Sequence, residues 1–282
     1  MKRIISILFS ISIIIASHAQ SSLQQFLNNP SLKHASVGVC VKDLYTGKTI
    51  VSYNEDKSLT TASIMKLLTT ATALELLGPK YKYETMLALD AYNPSKLLVI
   101  GSGDPTLGTS MFKENQHSFL MNWSDKLKTK LGNSDNLKLY VVDNLFGYNG
   151  VSGEWTWIDM GNYYAAGAYG ISVFDNTYRL FFNTIDRNSS PKIFRAEPEI
   201  KGLTFTNYLK LNTTGSDNGY IYGAPFSYNR VLRGDIPAGR TVFSIKGDIP
   251  DPGLMLGQVL ASELGKRGIS VAEVETAHLD YI

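Results

Sequence analysis

Thr60-Thr61-Ala62-Ser63-Ile64-Met65-Lys66-Leu67-Leu68-Thr69 decides how this chain folds around its chemistry. Leu68, Thr72 and Leu76 continue from Met65 at helical spacing and Gly78-Pro79 closes the run, so a helix of roughly 15 residues is expected, with Ser63 in its first turn. Thr60 and Thr61 are available to cap its start. Just upstream, Ser36 to Lys42 and Lys48 to Tyr53 alternate around Asp43-Leu44-Tyr45-Thr46-Gly47, the pattern of a β-hairpin. Before the hairpin, Leu23, Phe26 and Leu27 mark a helix within Ser21 to Leu32.

The spacing of Ser63 and Lys66 carries chemistry because residues three apart on a helix share a face, with Cβ atoms about 5–6 Å apart. A neutral Lys66 amine can then take the proton of the Ser63 hydroxyl. The reference pKa of lysine, about 10.4, has to fall for that role, through desolvation or a second nearby cation. A helix start also places a positive dipole end and free N–H groups beside the attacked carbonyl. The pattern alone is weak, since Ser110/Lys113 and Ser189/Lys192 repeat it. Only Ser63 opens a strong apolar helix directly after a hairpin, and an ordinary polar first turn is the competing explanation for it.

Further along, strands are expected at Glu84 to Leu89 and Lys96 to Gly101, a helix at Asn115 to Leu131 and a strand at Leu137 to Asp143. Trp155 to Gly170 is aromatic and Gly-rich with weak periodicity, which suits an irregular, surface-forming loop and a candidate binding surface. Strand patterns return at Tyr178 to Asn183, Gly202 to Leu211, Tyr220 to Tyr222, Arg230 to Gly234 and Thr241 to Gly247. The last clear element is a helix from Pro252 to Arg267, with Pro252 in its first turn and Gly268 after its end.

Lys2 and Arg3 precede the apolar run Ile4 to Ile15, and Ser17-His18-Ala19 fits a cleavage site, so residues 1–19 read as a signal peptide and the protein as exported. The run is shorter than the roughly 20 residues of a membrane span. Losing Lys2 and Arg3 from 27 basic residues leaves 25 against 25 acidic ones, a balance that argues against nucleic acid or an anionic surface as partner. The single cysteine, Cys40, excludes an internal disulfide and is expected to be a small buried apolar residue. His34, His117 and His278 lie far apart without ligand spacing, and no phosphate-cradling or dinucleotide-binding glycine pattern occurs, so neither a metal nor a cofactor is expected.

Thr61 to Thr69 resembles the active-site segment of the penicillin-recognising serine enzymes. Gly101-Ser102-Gly103-Asp104-Pro105-Thr106-Leu107, Gly153-Glu154-Trp155-Thr156-Trp157-Ile158-Asp159 and Gly247-Asp248-Ile249-Pro250-Asp251-Pro252 resemble, in order, the class C low-molecular-mass penicillin-binding proteins. These are D-alanyl-D-alanine carboxypeptidases and endopeptidases of the bacterial periplasm. The resemblance implies an α+β chain: a β-lactamase/transpeptidase-like peptidase domain, with an antiparallel sheet and flanking helices, interrupted by two largely β inserted domains. Residues 20–82 would begin the peptidase domain, 83–165 and 166–275 would be the inserted domains, and 276–282 a tail. It further implies Ser63 as acylated nucleophile, Lys66 as its proton acceptor, and Asp159 as a contact for the amino-bearing end of a peptidoglycan stem peptide. A carboxylate suits that cationic group; a helix cap or loop hydrogen bond is the plainer role for Asp159. Stem peptides are the implied substrates and β-lactams the implied acylating inhibitors.

The family also uses Ser-x-Asn and Lys-Thr-Gly after its inserted domains, and no Lys-Thr-Gly or Lys-Ser-Gly occurs in these 282 residues. The expectation is therefore a partial copy of the peptidase domain, poorly active alone, whose hairpin lacks strands that would complete its sheet and has an unpaired edge. Ser134-Asp135-Asn136 and Ser216-Asp217-Asn218 match Ser-x-Asn literally, but Asn and Asp favour turns for their own reasons. A serine β-lactamase using Ser134 and a non-catalytic peptidoglycan-binding module are the competing functions.

Overall fold

The computed structural model describes residues 22–147 and 150–277. The expected signal segment 1–19 and residues 278–282 of the expected tail, with His278, lie outside them. The chain forms two compact units that divide between Tyr81 and Lys82.

In the first unit, helix α1 covers residues 22–27. Strands β1 (Val39–Lys42) and β2 (Thr49–Tyr53) pair antiparallel with Val41 opposite Val51, forming the expected hairpin. Its turn is local chemistry: one carboxylate oxygen of Asp43 accepts from the Tyr45 and Thr46 amides and from the Thr46 hydroxyl, and Gly47 takes φ 69°. The sheet has two strands. A 3-10 turn, Ala62–Ile64, leads directly into helix α2 (Met65–Leu77), and Gly78 ends it with its N–H bonded to the Leu74 carbonyl. The expected threonine cap is not used; neither Thr61 nor Ile64 makes a side-chain capping bond.

Among described residues 22–81, Val51 alone is buried. Cys40, expected inside, is exposed. Its alternation marks one face of the hairpin, and on this two-stranded sheet the face at Cys40 is open. Helix α2 is apolar on every side, as a helix enclosed by a core would be, yet Leu67 is 70% and Leu76 78% exposed.

The second unit is built on a four-stranded sheet ordered β14-β5-β4-β3. Strands β3 (Met86–Leu89) and β4 (Lys96–Ile100) form an antiparallel pair. Helix α3 (Ser118–Leu131) then crosses to β5 (Ser134–Val142), which lies parallel to β4. Leu137, Leu139 and Val141 alternate into the core with Leu97 and Val99, the period of a strand with one covered face. Near its end the chain returns to this sheet: helix α4 (Pro252–Gly265) leads into β14 (Ile269–Thr276), parallel to β5. β14 was not expected from the sequence, and the parallel crossovers make this sheet a mixed helix–strand layer.

Gly253 and Gly257, one turn apart, let α4 lie close to the sheet. A Cβ at Gly257 would stand 2.4 Å from a Val274 methyl, and one at Gly253 2.2 Å from an Asp143 carboxylate oxygen.

Three smaller sheets complete the unit. Strands β6 (Thr177–Asn183), β7 (Lys192–Glu197) and β13 (Phe243–Asp248) pair antiparallel in the order β13-β6-β7. Strands β8 (Thr204–Asn207), β10 (Tyr220–Tyr222) and β11 (Asn229–Arg233) form the next sheet, and β9 (Lys210–Asn212) pairs with β12 (Asp235–Pro237). The single strand expected over Gly202 to Leu211 is thus two. Its partner chain turns at Gly234, where φ is 95° and a Cβ would strike the Asn218 carbonyl at 1.9 Å, so the pairing changes sheet there. Of the described residues, no helix is long and apolar enough to cross a membrane.

Candidate active site

At the start of α2, the Lys66 ammonium Nζ donates to Ser63 Oγ at 3.0 Å. Ser63 sits in the 3-10 turn and Lys66 is the second residue of the α-helix, so the chain crosses from one helix type to the other between them. Ala62 has φ 45°, in the left-handed region. For a residue with a Cβ this costs about 1–2 kcal/mol, and strain of this kind collects at functional turns. Both side chains are exposed. Once Lys66 is neutral, the same contact reverses, with the serine O–H donating to the amine.

Asp159 belongs to the second unit. It lies half-buried in the turn-rich stretch before the 3-10 turn Tyr163–Ala165, and its carboxylate accepts from the Thr156 hydroxyl at 2.7 Å. Its amide bonds the Thr156 carbonyl and its carbonyl accepts from Asn162 N–H, so the loop hydrogen bonding expected as its plainer role is present. Around it the surface is aromatic. Trp157, 71% exposed, stacks on Tyr222 with ring centroids 4.7 Å apart, and Tyr163 and Tyr164 are also open to solvent.

The two Ser-Asp-Asn segments, at Ser134 and Ser216, have structural work. Ser134 is the first residue of β5, opposite Ile269, and Asn136 takes φ 63°. In the loop after β9, the Ser216 carbonyl accepts from Asn212, the Asp217 carboxylate from Gly219 N–H, and the Asn218 amide donates to Asp235.

Gly247-Asp248-Ile249-Pro250-Asp251-Pro252 has a structural role. Asp251 caps α4, accepting from Leu254 N–H at 2.8 Å, with Pro252 in the first turn. Asp248 forms a buried ion pair with Arg230 at 2.8 Å, the two side chains being 6% and 0% exposed. The guanidinium also donates to the Ala224, Ser227 and Asp248 carbonyls. Burial pushes the Asp248 carboxyl up to about 6, the Arg230 charge offsetting only part of the effect. Arg230 carried no sequence signal, since a lone Arg in a strand pattern reads as surface.

A cavity of about 290 Å³ opens elsewhere in the second unit, between the 3-10 turn Phe174–Asn176 and strands β6, β7 and β13. Phe174, Asp175 and Asn176 all have left-handed φ, at 54°, 59° and 50°. The turn is held by Asn176, whose side chain accepts from Val173 N–H and donates to the Gly167 carbonyl and the Ser172 hydroxyl. Burial alone would raise the Asp175 carboxyl, but hydrogen bonds from Thr109 and Ser110 and the charge of Lys246 outweigh it and hold it below the usual range. Among the described residues, no cluster of His, Cys, Asp and Glu could hold a metal ion.

The fold is that of a penicillin-binding protein. It matches the crystal structure of penicillin binding protein 4 (dacB) from Haemophilus influenzae with a TM-score of 0.67 at 17% identity, over 87% of this chain and 54% of that one. The same Haemophilus protein complexed with a novel β-lactam matches with a TM-score of 0.62 at 15% identity, over 86% and 51%. The chain belongs to the D-Ala-D-Ala carboxypeptidase 3 (S13) family, whose model covers residues 19–278. A D-alanyl-D-alanine carboxypeptidase of Actinomadura sp. (strain R39) is 24% identical over 265 residues, 89% of this chain and 47% of that protein. The chain thus spans about half the length of the relatives it matches.

Proposed function

We propose that this chain carries the nucleophile of a serine-type D-alanyl-D-alanine carboxypeptidase or endopeptidase acting on peptidoglycan stem peptides. The observation that carries it is the 3.0 Å contact between Lys66 Nζ and Ser63 Oγ at a helix start, in a member of this family. Lys66 takes the serine proton as Ser63 Oγ attacks the carbonyl of the penultimate D-alanine. The C–N bond breaks, the proton passes to the leaving amine, and water then hydrolyses the acyl-enzyme. Asp159 receives the ammonium group of the stem peptide. β-Lactams acylate the same serine, and the protein works in the periplasm after export on residues 1–19.

Lys66 is exposed among the described residues. These 282 residues contain no Lys-Thr-Gly to add a second cation or to bind the terminal carboxylate. The division into a peptidase segment at 20–82 and inserted domains at 83–165 and 166–275 belongs to the same proposal, and limited proteolysis with mass mapping tests it.

The deciding experiment labels the purified chain with a fluorescent penicillin beside Ser63→Ala and reads intact mass. A stable adduct lost in the variant supports the acyl-enzyme. An adduct that persists in the variant, or sustained turnover of penicillin lost on Ser134→Ala, overturns it.

The exposed aromatic surface of Trp157, Tyr163 and Tyr164, with Trp157 stacked on the half-buried Tyr222, favours a second reading, in which the chain binds peptidoglycan without cleaving it. Sacculus binding unchanged by Ser63→Ala, with no adduct on the wild type, is its signature.

A further inference from the structure

The cavity beside the left-handed turn is lined by a row of charges that only strand register brings together. Lys246 on β13 stands opposite Arg179 on β6, and Arg179 stands opposite Glu197 on β7; all three line the cavity together with Asp175 and Ser110. Two cations directly opposite one another on neighbouring strands repel, and an anion seated between them would relieve that repulsion.

The two carboxylates at the cavity are already engaged. Asp175 accepts from the Thr109 hydroxyl and from both the amide and the hydroxyl of Ser110. Glu197 pairs with Arg195 at 3.3 Å. The cations are less well served. Arg179 has a 3.4 Å bond to the Ser244 hydroxyl. The half-buried Lys246 has, among the described residues, no ion pair and no hydrogen bond; its ammonium stands 5.8 Å from the Tyr163 ring and its charge acts on the Asp175 carboxyl. Phe174 and Asp175, two of three consecutive non-glycine residues in left-handed conformation, line one wall, and persistent backbone strain of this kind gathers at ligand clamps.

We infer that this cavity is a second ligand site, distinct from Ser63, which binds a small monocarboxylate of about the size of an amino acid between Lys246 and Arg179. The volume of about 290 Å³ lies at the lower end of small-molecule sites, about 300–1,000 Å³. Asp175 and Glu197 beside the cations disfavour a dianion, which selects carboxylate over phosphate. An α-ammonium group on the ligand would face those carboxylates.

Saturation-transfer NMR of the whole chain, titrated separately with propionate, alanine and inorganic phosphate, tests the site. Both carboxylates are expected to bind saturably. Lys246→Gln and Arg179→Gln each weaken them about tenfold or more, Lys246→Arg restores binding, and melting temperatures stay within the wild-type range. Ser63→Ala leaves this binding unchanged, so its outcome is independent of acylation at the serine. No saturable signal, a signal indifferent to both glutamine variants, or phosphate binding as tightly as propionate would overturn the inference. Should Lys246→Gln fail to fold, Arg179→Gln, on an exposed side chain, reads the same loss of binding by itself.

Discussion

Lys66 reaches back one helical turn to Ser63, Nζ to Oγ 3.0 Å, across the point where a 3-10 turn becomes an α-helix. The left-handed φ of Ala62 sets the direction from which the chain enters that turn. Lys66→Gln keeps a donor near the serine but cannot take its proton. It is expected to slow acylation by fluorescent penicillin by about 10²–10⁴-fold, the range of general-base contributions, while Ser63→Ala abolishes it. A Lys66→Gln rate equal to wild type would remove the lysine from the mechanism.

Asp159 is proposed to meet a substrate ammonium, and penicillins without a free amino side chain do not present one. Asp159→Asn is therefore expected to leave their acylation rate within about twofold and to lower kcat/KM for stem peptides with a free amino end about 10–100-fold, the worth of a charge-assisted hydrogen bond. Equal losses on both substrates would mean that the Thr156–Asp159 bond only holds the loop.

Helix α4 offers a paired test of packing. Gly257→Ala puts a Cβ 2.4 Å from Val274 and 3.1 Å from Val141, an overpacking expected to cost about 1–3 kcal/mol. Gly265→Ala at the other end meets nothing within 4 Å and is expected to gain up to about 1 kcal/mol through helix propensity. Urea melts of both variants read the difference directly.

The Arg230–Asp248 pair is expected to give an unusual pH dependence. Burial raises the Asp248 carboxyl to about 6 in the folded chain, against about 3.9 unfolded, so the folded state holds the proton more tightly. Its contribution to stability is fully present below about pH 4 and is lost as the pH rises through about 6. Three backbone carbonyls continue to solvate the Arg230 guanidinium when Asp248 is neutral. Melts at pH 4.5 and 7 should show the stability of wild type relative to Asp248→Asn falling as the pH rises; a rise would reverse the assignment. Arg230→Met at neutral pH, which leaves the carboxylate buried without its cation, is expected to cost about 3–5 kcal/mol.

Much of the fold was legible wherever the signal was local. The hairpin, α2, α3, α4 and the alternation of Leu137, Leu139 and Val141 all follow from periodicities of two or 3.6 residues within one segment. β14 is not legible in this way because Ile269–Thr276 owes its place in the sheet to β5, more than a hundred residues earlier. The exposure of Cys40 is not legible because alternation names a face of a strand without saying whether anything covers it. Gly202 to Leu211 reads as a single strand because the break within it is set by a turn in its partner at Gly234.

By itself the sequence determined the Ser63–Lys66 pair, since three residues along a helix fix which side chains share a face whatever else packs around them. It determined equally the start of α4 at Pro252, for the same reason of short range. Only the tertiary structure decided that Arg230 would be fully buried against Asp248 and that Gly253 and Gly257 would press α4 onto the sheet. It alone set Lys246, Arg179 and Glu197 side by side across three strands. These contacts join segments distant in the chain, and their energies come from desolvation, close approach and strand register, none of which any one segment encodes.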